Sequence, residues 1–171
     1  MGEEGGDGPM RTEDALAIAA EFAENWMWET ETARPEPNRI DITLNTPQDL
    51  VPITVGLRVK RLGHLSAITG LDLGEEKGKL ELLYQFCAGA AVITLRVQIP
   101  REDAAIPSLC EIIPAAEAFE RELSEMFGVR VDGLRNPERL YLPEDWPSDQ
   151  FPLRKDFDPA VIKIPASTGA P

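Results

Sequence analysis

Residues 120–157, ERELSEMFGVRVDGLRNPERLYLPEDWPSDQFPLRKDF, decide how the rest of the chain is read. The stretch opens as a helix, because Phe119, Leu123, Met126 and Phe127 recur at the spacing of one helical face, while Glu117, Arg121 and Glu125 lie four apart on another. Gly128 ends it, since glycine takes the left-handed cap conformation without steric cost. Beyond Gly128 the chain is rich in proline and alternates large hydrophobes with charge: Leu140, Tyr141, Leu142, Trp146 and Phe151 stand among Pro137, Pro143, Pro147 and Pro152, and Arg154, Lys155 and Asp156 follow. A segment of this kind is too apolar to float and too broken to build a core of its own. It must lie on a surface.

Four pieces of this block, in order, resemble the signature of the 30 kDa subunit family of respiratory complex I, which includes the equivalent subunits of membrane-bound, energy-converting [NiFe] hydrogenases. They are Glu120-Arg121-Glu122, Phe127-Gly128, Pro143-Glu144-Asp145-Trp146, and Pro152-Leu153-Arg154-Lys155-Asp156-Phe157. The lead-in Pro107-Ser108-Leu109, with Ile112, Pro114 and Ala116, fits the same family, so the close similarity spans Pro107 to Asp158. Glu125 stands where the family usually has aspartate, Leu134 where it usually has histidine, and Glu138 where a basic residue is commoner, whereas Arg139 is retained. The wording around Gly133-Leu134-Arg135 and the spacer from Pro147 to Gln150 lean toward the hydrogenase and formate-hydrogenlyase branch.

The resemblance implies a cofactor-free accessory subunit of the hydrophilic arm of a membrane-bound, ion-translocating redox complex. Its partners would be a large catalytic subunit related to [NiFe] hydrogenase and a small iron–sulfur subunit, which would carry the iron–sulfur clusters and the NiFe centre. The equivalent subunit of an NADH:quinone oxidoreductase is the alternative. Either would sit on the cytoplasmic face of the cell membrane. The motif residues expected at a subunit interface are Glu120, Arg121, Glu122, Phe127, Gly128, Arg139, Trp146, Phe151, Pro152, Arg154, Lys155 and Asp156.

The residues themselves are consistent with a subunit that has no redox equipment. There is no CxxC cluster for iron–sulfur, no GxGxxG after a strand, and no phosphate loop. Catalytic, cofactor-binding and metal residues are therefore expected to be none. Glu120, Glu122 and Glu125 are dense but local on one helix and alternate with Arg121, without a nucleophile or metal ligand, so an independent carboxylate enzyme is not expected. Glu120 and Glu122 point to different sides and are expected to make charge-assisted hydrogen bonds across the fold or to a partner. Arg154-Lys155-Asp156 reads either as a solvated charge run or as a fork clamping carboxylates or carbonyls on another subunit. Trp146 and Phe151 beside it give the composition of a binding hot spot.

Length and charge set the outer bounds. A chain of 171 residues buries about two thirds of its unfolded surface and needs no staples. Cys87 and Cys110 lie in apolar runs and read as buried structural thiols of a reducing compartment. A net charge of −13 argues against nucleic acid and an anionic membrane surface as direct partners. Much of that charge lies in residues 1–34, either a solubilising face or a patch for a basic partner. No apolar run is long enough to span a bilayer, and the acidic opening MGEEGGDGPM is unlike a signal peptide.

Residues 1–11 read as a mobile tail, 12–158 as a single domain with an extended segment over 129–158, and 159–171 as a second tail. Thr12 caps a helix whose stripe is Leu16, Ala19, Ala20, Ala23, Trp26 and Met27, with Trp26 and Trp28 as packing anchors. Pro35 and Pro37 break the chain before a strand over Ile40, Ile42 and Leu44. Residues 50–61 alternate like a strand yet follow Thr46-Pro47-Gln48-Asp49, a helix start; the resemblance implies helix, and helix is the choice. His64 reads as an exposed turn residue before a strand over Leu65–Leu73. A hairpin follows from Leu80 to Ile99, turning at Ala88-Gly89-Ala90. Ser108 and Glu111 form a capping box for a brief helix that Pro114 restarts. The fold class is α+β (or α/β): a small mixed β-sheet covered by helices, with the motif-bearing segment extended at the C-terminal side.

Overall fold

A computed structural model of the chain describes residues 10–24 and 30–162. Its elements are α1 (Thr12–Glu24), β1 (Thr30–Glu36), β2 (Arg39–Leu44), a 3-10 turn (Pro47–Asp49) leading into α2 (Leu50–Val59), β3 (His64–Asp72), β4 (Lys79–Ala88), β5 (Ala91–Pro100), β6 (Ala105–Pro107), α3 (Ala116–Phe127) and β7 (Arg130–Asp132). A short 3-10 turn, Pro159–Val161, closes the described chain. The main sheet runs β1-β2-β5-β4-β3 and is mixed, because only the β2–β5 pair is parallel; β6 and β7 form a second, two-stranded parallel pair.

The alternation in the sequence explains the layers. Ile40, Ile42 and Leu44 of β2, Ile93, Leu95, Val97 and Ile99 of β5, and Leu80, Leu82, Tyr84 and Phe86 of β4 are buried in one cluster with the apolar stripes of the helices. Each such side chain contributes about 1.5–3 kcal/mol by leaving water. The alternate positions of the same strands carry a ladder of charge across three strands. Arg39 holds Asp41 at 2.6 Å, Arg96 holds Asp41 at 2.9 Å, and Arg96 holds Glu81 at 2.8 Å.

Residues 50–59 are helical. The alternation of Val51, Ile53, Val55, Leu57 and Val59 is overridden by the start signal, in which the Thr46 hydroxyl accepts from the Gln48 amide and Pro47 opens the turn. Three expectations are corrected. Pro35 does not end the structure before β2, for β1 contains it: β1 is an edge strand with an irregularity between Ala33 and Glu36, where a missing N–H costs no ladder bond. Ser108 and Glu111 do not form a capping box. Residues 110–112 form a turn, Ser108 bonds to Cys110 and Glu120, and Glu111 pairs with Arg135 at 2.7 Å. His64 is exposed, as read, but it is the first residue of β3 rather than a turn. The hairpin turn is as expected, with Gly89 at φ +61° between β4 and β5. Trp26, Met27 and Trp28 lie outside the described residues, as do residues 1–9 of the expected tail.

Candidate interaction surface

Helix α3 buries Ala116, Glu120, Leu123 and Phe127 along one stripe, and a carboxylate is among them. Glu120 is fully buried. It survives there because three donors converge on it: the Leu109 amide at 2.6 Å, the Ser108 hydroxyl at 2.6 Å and the Cys110 thiol at 3.1 Å. Burial, opposed by the Ser108 hydroxyl and reinforced by Glu120, pushes the Cys110 thiol above its ordinary range and keeps it an inert donor. Glu120 thus bonds across the fold.

Arg121 and Glu125, one turn apart, do not form an ion-pair ladder with Glu117. They grip the irregular chain beyond the helix. The Arg121 guanidinium donates to the carbonyls of Glu138 and Arg139, each at 2.9 Å, and the Glu125 carboxylate accepts from the next two amides, Leu140 and Tyr141. Four polar atoms of three consecutive peptide groups that make no regular ladder are satisfied in this way. Glu122 is half-buried and has no bonding partner among the described residues.

The last turn of α3 organises the motif that follows. Gly128 caps the helix at φ +69°, and a Cβ there would lie 2.5 Å from the Phe151 ring, so glycine is needed for conformation and for close approach. Phe127 packs in turn on Gly70 of β3. The Leu153 amide donates to the Met126 carbonyl at 3.1 Å. Arg154 donates to the Phe127 carbonyl at 2.8 Å and to the Arg101 carbonyl at 3.3 Å, with its guanidinium 4.5 Å above the Phe151 ring. Further back, Arg139 donates to the Trp146 carbonyl, the Trp146 indole donates to the Gln150 carbonyl, and the Trp146 ring stacks on Phe157.

Asp72, at the end of β3, fastens the far end. It accepts from the amides of Gly74 and Lys155 at 2.8 and 2.9 Å and from Arg101, which also holds Asp156. Burial alone would raise the Asp72 carboxyl, but the Lys155 and Gly74 amides and Arg101 outweigh it and hold the group below its ordinary 3.8. A depressed carboxyl contributes stability above its unfolded value that is lost as pH falls through the folded one. Acidification below 3.8 is therefore expected to release residues 151–158, read as faster pepsin cleavage there; Asp72→Asn should remove that pH dependence.

Phe127, Gly128, Phe151 and Arg154 thus meet at the end of α3, Lys155 and Asp156 beyond Pro152 meet Asp72 and Arg101, Arg121, Arg139 and Trp146 hold the adjoining loop, and Glu120 faces residues 108–110. Sequence reasoning missed Arg101 and Asp72, which lie in separate parts of the chain with no spacing signal. It also missed the outward residues. Tyr141 and Leu153 are 63% and 51% exposed although their amides are pinned to Glu125 and Met126. Among the described residues, no group of three or more His, Cys, Asp or Glu side chains is placed to hold a metal, and no helix is long and apolar enough to cross a membrane. An apolar groove of about 510 Å³ between α1 and α2 is walled by Phe22, Val55 and Val59, and among the described residues Lys60 is the one ionisable group lining it.

Residues 44–161 match the family described as respiratory-chain NADH dehydrogenase, 30 Kd subunit. The chain belongs to that family. Among curated relatives, an NADH-quinone oxidoreductase subunit from Chloroherpeton thalassium is 36% identical over 100 residues, 57% of this chain and 40% of that protein. Formate hydrogenlyase subunit 5 of Escherichia coli is 36% identical over 58% of this chain and 18% of its own length. Hydrogenase-4 component G of the same organism is 32% identical over 74% of this chain and 23% of its own. The match therefore spans less than half of each of these relatives. The fold of the family is also seen in the archaeal membrane-bound sulfane sulfur reductase, one chain of which gives TM-score 0.69 and 24% identity over 85% of this chain and 86% of that one. A fragment of Nqo5 gives TM-score 0.58 and 18% identity over 74% and 99%.

Proposed function

We propose that this chain is a permanent accessory subunit of a membrane-associated redox complex, holding no redox group itself and docking on the large catalytic subunit beside a small iron–sulfur subunit. The observation that carries this is family membership across residues 44–161, in a domain whose motif chemistry is spent on holding one ribbon in place. The iron–sulfur clusters and any NiFe centre then belong to the partners, and the chain sits peripherally on the inner face of the membrane. The hydrogenase-related branch is favoured. What supports this is the wording around Gly133-Leu134-Arg135 and the spacer from Pro147 to Gln150, since relatives of both branches match the chain over 57–74% of its length.

Affinity purification of the tagged chain in mild detergent tests the proposal. Equimolar recovery with a large subunit bearing nickel-binding cysteine pairs and with an iron–sulfur subunit is the expected result. A large subunit lacking those cysteines would indicate the NADH:quinone branch, and substoichiometric recovery a transient assembly factor. A monodisperse monomer without partners would defeat the reading.

A further inference from the structure

Arg139 and Arg154 of the ribbon are half-buried and bonded within the domain, and the exposed Arg135 is paired with Glu111, whereas several of the ribbon's acids are exposed and, among the described residues, unpaired. Arg154 donates to two carbonyls of its own domain, Arg139 to the Trp146 carbonyl, and Arg135 to Glu111. Glu138, Glu144, Asp145 and Asp149, by contrast, are exposed, and their carboxylates have no partner among the described residues. Of the exposed bases of the ribbon, Arg130 and Arg135 are already paired with Asp132 and Glu111, which leaves Lys155 against these four acids. Along the same ribbon stand Tyr141 and Leu153, exposed apolar side chains on backbone held by consecutive residues of α3. Large side chains on a fixed backbone lose little conformational freedom when they are covered, which is the character of interface anchors.

We infer that Tyr141 and Leu153 are the anchors of the subunit interface, and that their receptor is a partner polypeptide presenting an apolar socket rimmed by lysine and arginine. This rests on the reading of the chain as a docked subunit and specifies the contact. The acids steer and orient the encounter; the two side chains hold it. Arg154 and Trp146 shape the ribbon from within.

Binding of the full-length chain to the purified large subunit of its complex, followed by surface plasmon resonance at two salt concentrations, tests this. Tyr141→Ser and Leu153→Ser should each weaken binding by about tenfold or more while leaving the thermal midpoint of the isolated chain unchanged. Glu144→Lys with Asp145→Lys should slow association and flatten its salt dependence. Wild-type binding indifferent to all of these changes would overturn the inference and leave the subunit reading standing. So would Tyr141-dependent self-association of the chain without large-subunit binding by the same face. Absence of any wild-type binding would defeat both.

Discussion

Replacing Glu120 by alanine is expected to destabilise the isolated chain by roughly 3–5 kcal/mol. The carboxylate is fully buried and is the acceptor for the Leu109 amide, the Ser108 hydroxyl and the Cys110 thiol. Its removal strands an amide that cannot turn elsewhere, leaves a cavity, and frees the turn that enters α3. For a domain of this size the thermal midpoint should fall by roughly 10 °C. Glu120→Gln keeps the shape and an acceptor for the Leu109 amide, and the Ser108 hydroxyl can rotate to accept from the new amide, so much of the loss should be recovered. Glu122→Ala, two residues along the helix and unbonded, should stay within about 0.5 kcal/mol. Equal, small losses for Glu120→Ala and Glu122→Ala in thermal or urea unfolding would show that the buried network does not form.

Arg154→Ala is expected to open the ribbon. The guanidinium bonds two carbonyls on separate parts of the domain and lies on the Phe151 ring, which covers Gly128. Two charge-assisted bonds and the ring contact together amount to about 2–4 kcal/mol. Because residues 151–158 lie outside the main cluster, the loss should appear as local opening before global unfolding. Amide exchange at Leu153 and Lys155 should accelerate by roughly 30-fold or more, with β4 and β5 little changed. Arg154→Lys should rescue only in part, since a point charge on a flexible stem cannot take both carbonyls and stack. Unaltered exchange in Arg154→Ala would return Arg154 to the role composition suggests, a group reaching toward another chain. On that composition-based view Arg154→Ala harms assembly far more than the isolated domain. With Arg154 bonded to carbonyls of its own domain, the expected result is instead that any assembly defect follows from the displaced ribbon and scales with its opening.

The main elements and the presence of a motif ribbon were legible in the sequence because they follow from local period and turn chemistry. Alternation over residues 80–99 yields the β4–β5 hairpin, and Gly128 ends α3 because of its backbone freedom. Family membership was equally legible, since it lies in the order of residues along the chain. The direction in which the ribbon's charges point was not. Arg154 is as rich in donors as any interface arginine, and nothing local distinguishes a carbonyl of Phe127 from one on another chain. Asp72 meets Lys155 across 83 positions only because β3 ends beside the close of α3. Which of the ribbon's groups are consumed within the fold, leaving Tyr141, Leu153 and the acids to face outward, is a property of long-range packing. Composition names the groups available; the three-dimensional approach of distant segments decides which remain free.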